Sequence, residues 1–214
     1  MFRRVLGEAL GSLLLTACVV GSGIMAERLS GGNGAVALLA NTLATVAGLA
    51  VLIMLFGPVS GAHFNPLISG VAWFTRRIEA RAAARYVLAQ IVGCCAGAIL
   101  ANAMFELPLV AASGHARTGA GQWLSEFVAT AGLVFIASRA ESIREAAWQV
   151  SLWIGAAYWF TASTSFANPA ITIARALSDT FAGIRPVDVP GFIAAQVAGA
   201  LTGVLLLRAF TDKR

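Results

Sequence analysis

Two stretches decide the fold: Ser60-Gly61-Ala62-His63-Phe64-Asn65-Pro66-Leu67 and Thr164-Ser165-Phe166-Ala167-Asn168-Pro169-Ala170. Each carries small or extended residues, then Asn-Pro, then a short apolar run, ending near Phe74 in the first case and Leu177 in the second. Asn is a strong N-cap because its side chain satisfies orphan N–H groups, and Pro suits the first helical position because it has no N–H to satisfy. Each stretch therefore predicts a helix that begins at its proline. About ten helical residues rise about 15 Å, half the thickness of a bilayer core. One Asn-Pro pair is a common turn signal. Two of them at matching places, each followed by half a span, predict two helices that enter from opposite faces and meet at the midplane.

The surroundings of these stretches are membrane-like. Of 214 residues, 58% are hydrophobic and 12% charged, and the mean hydropathy is +0.80. A chain folding around one water-soluble core would be far more polar. Six runs are long and apolar enough to span: roughly 5–26, 37–56, 82–104, 123–139, 146–163 and 190–210. Glu8 interrupts the first run, which is too long for a signal-peptide h-region, so it is expected to remain in the mature protein. Cys18, Cys94 and Cys95 all fall within apolar runs and are expected to pack as free thiols.

The second half of the chain repeats the first. Glu8 in GEALGSLLL is matched by Glu126 in SEFVATAGL, Asn65 by Asn168, and Gln90 in YVLAQIVGCCAG by Gln196 in FIAAQVAGALTG, at offsets of 118, 103 and 106 residues. Three spans per repeat is an odd number, so the second repeat enters the membrane from the opposite side. The chain is predicted to be one domain, 1–214, with repeat one at 1–106 and repeat two at 119–214. Small residues spaced four apart (Gly7/Gly11, Ala44/Gly48, Gly93/Gly97, Ser151/Gly155, Gly199/Gly203) predict close helix packing.

Charge gives the orientation. With the N-terminus in the cytoplasm, eleven Lys and Arg fall inside, and only Arg28, Arg117, Arg175 and Arg185 fall outside. That bias fits both termini being cytoplasmic, and the net charge of +5 then implies no nucleic-acid partner.

With these motifs in place, the chain resembles the aquaporin and aquaglyceroporin family, the major intrinsic proteins, over its whole length. The resemblance implies an all-α membrane protein with six transmembrane helices, two re-entrant half-helices and an inverted repeat. It also implies a homotetramer in a bilayer, here a bacterial inner membrane, with one pore per protomer and neither cofactor, metal nor catalysis. By position, Asn65 and Asn168 would donate to solute at the pore midplane. Carbonyls of Gly61, Ala62, His63, Phe64, Thr164, Ser165, Phe166 and Ala167 would form a ladder. Glu8 and Glu126 would accept backbone N–H bonds from the two loops. Gln90 and Gln196 would either bridge helices or face the pore.

Two departures stand out. Leu67 replaces the usual Ala and would crowd the meeting of the half-helices. Ile171 stands three residues after Asn168, where most relatives place a constricting arginine. Counting along the family pattern completes the filter with Thr45, Ala156 and Ser165, although a loop of different length shifts Ala156 by one. This quartet is small and uncharged, which implies a wide, arginine-free filter. It would pass small neutral solutes such as glycerol-like polyols, water and undissociated metalloid acids such as arsenous acid. Arg175, one turn beyond Ile171, would either present its charge in the outer vestibule or pair with Asp179. The alternatives are a strictly water-selective pore, a proton- or Na⁺-coupled transporter and an intramembrane serine protease. The last needs a His on a later span, and none is present.

Overall fold

The computed structural model describes residues 1–210. Lys213 and Arg214, counted above among the cytoplasmic charges, lie outside the described residues. Eight α-helices follow in order: α1 Phe2–Leu29, α2 Gly34–Ser60, α3 Pro66–Phe74, α4 Ala80–Met104, α5 Ala120–Arg139, α6 Ile143–Phe160, α7 Pro169–Arg175 and α8 Val189–Phe210. α1, α2, α4, α5 and α8 are long and apolar enough to cross a membrane. α6 has 18 residues and carries Arg144 and Glu145 in its first turn. It starts three residues earlier than expected because Ser142 caps it, accepting from the Glu145 amide at 3.1 Å. It ends at Phe160 because the extended second loop begins there.

The outside of the bundle is apolar. Leu6, Leu10 and Leu14 along α1, Leu88 and Val92 on α4, and Leu201 and Leu205 on α8 are all exposed, as required of a protein whose solvent is lipid. The inside is built from small side chains, with Ala98, Ala101 and Ala129 fully buried. α1 packs along α4 and α5 along α8, the two most extensive interfaces. Glycine makes both possible. A Cβ at Gly93 or Gly97 would collide with the carbonyls of Ala9 and Leu13, and one at Gly199 or Gly203 with those of Phe127 and Ala131. The opposed residues are themselves 118 apart, so the two interfaces are copies.

α3 and α7 are the two short helices, of nine and seven residues, and the loops before them are held by two buried carboxylates. Glu8 Oε1 accepts from Ser60 Oγ at 2.6 Å and the His63 amide at 3.0 Å. Its Oε2 accepts from the Phe64 amide at 2.8 Å and Gln90 Nε2 at 2.7 Å. Glu126 repeats the pattern with Ser163 Oγ at 2.6 Å, the amides of Phe166 and Ala167 at 2.8 Å, and Gln196 Nε2 at 2.6 Å. Each glutamine also donates to the half-helix, Gln90 to Ser69 Oγ and Gln196 to Thr172 Oγ1, both at 2.9 Å. The glutamines thus bridge helices, and neither lines the central cavity.

With this support the loops hold left-handed backbone at Ala62 and Phe64 (φ 49° and 48°) and at Thr164, Ser165 and Ala167 (φ 61°, 50° and 47°). Each such non-glycine residue costs about 1–3 kcal/mol and persists only where its surroundings over-determine it.

Three substitutions test this account. Gly97→Val should destabilise α1–α4 docking by about 1–3 kcal/mol or more and lower the Tm in detergent. Gly70→Ala, where an added Cβ meets nothing within 4 Å, should not. Glu126→Gln removes the charge and turns an amide donor toward donors. The loss of two charge-assisted hydrogen bonds should cost about 3–6 kcal/mol, read as a Tm fall by differential scanning fluorimetry. An unchanged Tm would mean that the carboxylate does not hold the loop.

Candidate functional site

The two half-helices meet N-terminus to N-terminus through their asparagines. Asn65 Oδ1 caps α3 by accepting from the Leu67 amide at 2.9 Å. Asn168 Oδ1 caps α7 by accepting from the Ala170 amide at 3.0 Å. The carboxamide nitrogens then cross the junction: Asn65 Nδ2 donates to the Ala167 carbonyl and Asn168 Nδ2 to the Phe64 carbonyl, both at 2.8 Å. Each amide group has two hydrogens, so one locks the junction and the other is left to face the space beside it. Leu67 does not crowd this meeting as expected. It packs with Ile68 and Val71 against the cluster of Val134, Ala200 and Val204, but unlike Ile68, Val71 and Ala72 it does not line the central space.

That space is a cavity of about 240 Å³ passing both asparagines. One end is lined by Thr75, Arg77, Ala137 and Ser138, the other by Thr45, Tyr158, Phe166 and Arg175. Leu15, Val19, Leu49, Ile53, Leu133, Val150 and Ile154 form an apolar wall, facing the two loops at 61–65 and 165–168. Such a conduit offers hydrogen-bond partners along one side and hydrocarbon contact along the other.

The expected site residues fall on this frame unevenly. Gly61, Ala62, His63 and Phe64 line the cavity, as do Ser165, Phe166 and Ala167, but Thr164 does not. Two of the expected ladder carbonyls, Phe64 and Ala167, already accept from the opposing asparagine and keep one lone pair each. Thr45, Ser165 and Ile171 are on the wall.

Ala156 is not on the wall and is exposed on the outer side of α6. The residues that α6 presents inward are Ala146, Val150, Ile154 and Tyr158, spaced by four. Ala156 lies two residues off that row, about 200° around the helix. Counting back from Asn168 misplaced it because the count presumed a loop length. Tyr158 instead reaches the Thr45 position, its hydroxyl 3.4 Å from Thr45 Oγ1.

For Arg175 one of the two expectations, the Asp179 pair, fails. It is 3% exposed and on the cavity wall, so this end is not free of arginine. It does not pair with Asp179, whose Oδ1 accepts from the Gly114 amide at 2.8 Å. Its Nε donates to the Ala182 carbonyl, and its guanidinium stacks on Phe166, 3.4 Å from the ring centroid.

Arg117, an outside charge in an irregular loop, has a structural role that its residue type does not reveal. Its Nε donates to the Gly183 carbonyl at 2.7 Å, and its two Nη groups to the carbonyls of Ser163 and Phe181 at 3.2 and 3.3 Å. It also lies 5.1 Å from the Phe166 centroid. Burial lowers its pKa from the usual arginine value, and the nearby Glu126 opposes that shift. The Arg117 amide donates to Asp188 Oδ2 at 2.8 Å. The Asp188 carboxyl is held below its ordinary value chiefly by the hydrogen bond from Arg185, helped by that amide. These contacts tie the 105–119 and 176–188 loops to the second half-helix.

Comparison with known proteins agrees with this architecture. The family model of the major intrinsic protein matches residues 1–140 and again 117–214. The aquaglyceroporin AqpS of Rhizobium meliloti (strain 1021) is 53% identical over 96% of this chain and 89% of its own. The probable aquaporin PIP2-8 of Oryza sativa subsp. japonica is 31% identical over 63% of this chain and 46% of its own. The X-ray structure of the aquaglyceroporin from Plasmodium falciparum superposes with a TM-score of 0.71 at 20% identity, covering 98% of this chain and 95% of that one. The low identity of the last makes it evidence of fold alone. A bundle with two half-helices joined at paired asparagines, matched by the family model in both halves, places this multi-pass membrane protein in the major intrinsic protein family, whose members are channels for small solutes.

Proposed function

We propose that the protein is a passive channel for small uncharged solutes: glycerol-like polyols, water and undissociated metalloid acids. The observation that carries this reading is the half-apolar cavity running past both asparagines. A polyol has hydroxyls for one wall and C–H groups for the other. The aquaglyceroporin name of the 53% identical relative supports the same solute class, and Ile171, in place of a constricting arginine, supports an opening wider than one water. We further propose that the unit is a homotetramer in a bacterial inner membrane with both termini in the cytoplasm, as the Lys and Arg distribution favours.

Coupling to protons or Na⁺ fits less well. Glu8 and Glu126, the buried acids, each accept four hydrogen bonds from the loops they support, which leaves them committed. A second reading, strict water selectivity, is favoured by one observation: Tyr158 and Arg175 both stand on the wall near Ile171. Stopped-flow shrinkage of proteoliposomes separates the two. Glycerol flux well above that of empty liposomes supports the wide channel, and water flux alone supports the narrow one.

Ile171→Arg should reduce glycerol flux more than water flux, because a guanidinium adds bulk and charge beside Arg175. A barrier raised by about 1.4 kcal/mol for glycerol lowers its flux about tenfold. An unchanged ratio of the two fluxes with normal expression would show that position 171 does not set the opening. Wild-type proteoliposomes at fixed potential should conduct protons and Na⁺ no better than empty ones, because the wall carries the Arg175 charge and the amide donors of Asn65 and Asn168. Conductance above that background would overturn the reading.

A further inference from the structure

Arg175 is a buried cation with no ion-pair partner among the described residues. Among the described residues the one ion pair is Arg185–Asp188. Asp179 is engaged with Gly114, and the carboxylate of Glu126 is filled by its own loop. Arg117 adds a second positive charge from its own position over Phe166. A guanidinium has five N–H donors in a planar fork. The structure accounts for one, Nε on the Ala182 carbonyl, and no protein partner for either Nη is found among the described residues. Its Cζ lies 3.4 Å from the Phe166 ring centroid, which restrains the fork.

The placement is built into the repeat. Ile171 and Arg175 correspond, at the offset of 103 residues, to Ile68 and Ala72, and all four line the cavity. Position 175 therefore faces the conduit by the symmetry of the half-helices, and only the second repeat puts a charge there.

We propose that Arg175 forms a subsite for small singly charged oxyacids bearing two oxygens on one centre. Two Nη donors match two such oxygens side by side. The subsite deepens the channel reading, since it would hold an acid within the conduit that neutral solutes use.

The test uses the full-length protein in detergent and in proteoliposomes, with inorganic phosphate as the probe at a mildly acidic pH where its monoanion dominates. Sodium chloride of equal ionic strength is the control. Phosphate should raise the wild-type Tm saturably above the chloride value. At about twice its Kd it should occupy about two-thirds of the sites and lower glycerol flux about threefold. Arg175→Gln should abolish the difference between phosphate and chloride, and Arg175→Lys should keep a smaller one, having charge without the fork. Should Arg175→Gln fail to fold, Ile171→Asp decides, because a carboxylate one turn away would fill the fork and likewise abolish the difference. Equal Tm values in phosphate and chloride for the wild type would overturn the proposal, as would an undiminished phosphate shift in either neutralising variant. A wild-type protein that conducts glycerol without a phosphate shift loses only the subsite. One that shows the shift but no glycerol flux loses only the channel reading.

Discussion

The structure depends on two carboxylates buried in hydrocarbon-facing helices. An isolated buried charge is costly, and among the described residues neither Glu8 nor Glu126 forms an ion pair with a cation. Each is instead satisfied by four neutral donors: a serine hydroxyl, two consecutive loop amides and a glutamine. That arrangement works in both directions. The donors make the charge tolerable, and the charge holds the amides of residues 63–64 and 166–167 in a conformation the chain would otherwise leave. Once those residues are held, their neighbours cannot form a helix, and their unpaired backbone lies along the cavity, where irregular backbone at membrane depth is tolerated.

The small residues of α4 and α8 follow from the same requirement. Glu8 is on α1 and Gln90 on α4, so the 2.7 Å hydrogen bond between them needs those helices close together. Gly93 and Gly97 allow it, since any side chain there would strike the α1 backbone. Gly199 and Gly203 do the same for Glu126 and Gln196. Packing and polar support are thus one feature, repeated twice. The repeats diverge where they line the conduit: Ala62 is answered by Ser165, His63 by Phe166 and Ala72 by Arg175. Support is symmetric, whereas the wall is not.

This division explains what the sequence could tell. The spans, both half-helix starts, the glutamates and the asparagines were legible because each rests on a local signal, apolar length or Asn-Pro capping, and because the repeat supplies a second copy. Gln90 and Gln196 were visible as a pair, yet only their distances to Glu8 and Glu126 placed them in the support. Ala156 was misplaced because α6 carries no capping motif in register with Asn168, so its facing row had to be counted across a loop. The inward row Ala146, Val150, Ile154, Tyr158 appears only once α6 is docked. Leu67 read as an obstruction because its size was known and its direction was not. Arg117 was hidden because it bonds to carbonyls, which leave no trace in residue type.

Displacing an arginine by one turn separates two properties that one side chain at position 171 would combine. A guanidinium there would narrow the conduit and charge it together. Ile171 leaves the position apolar, while Arg175 lies about 5.4 Å further along the helix, drawn against Phe166 and the Ala182 carbonyl. Its contact with the ring leaves the side chain only 3% exposed, so its bulk is taken up by packing while it still lines the cavity. Arg117 fixes the geometry from outside, since it ties Ser163 and Gly183 together across the loop that carries Phe166. On the proposed reading, width is then set by Ile171, Thr45 and Tyr158, and charge by Arg175. On that reading, a conduit arranged in this way repels cations and still admits solutes larger than water, with the charge and the opening set by different residues.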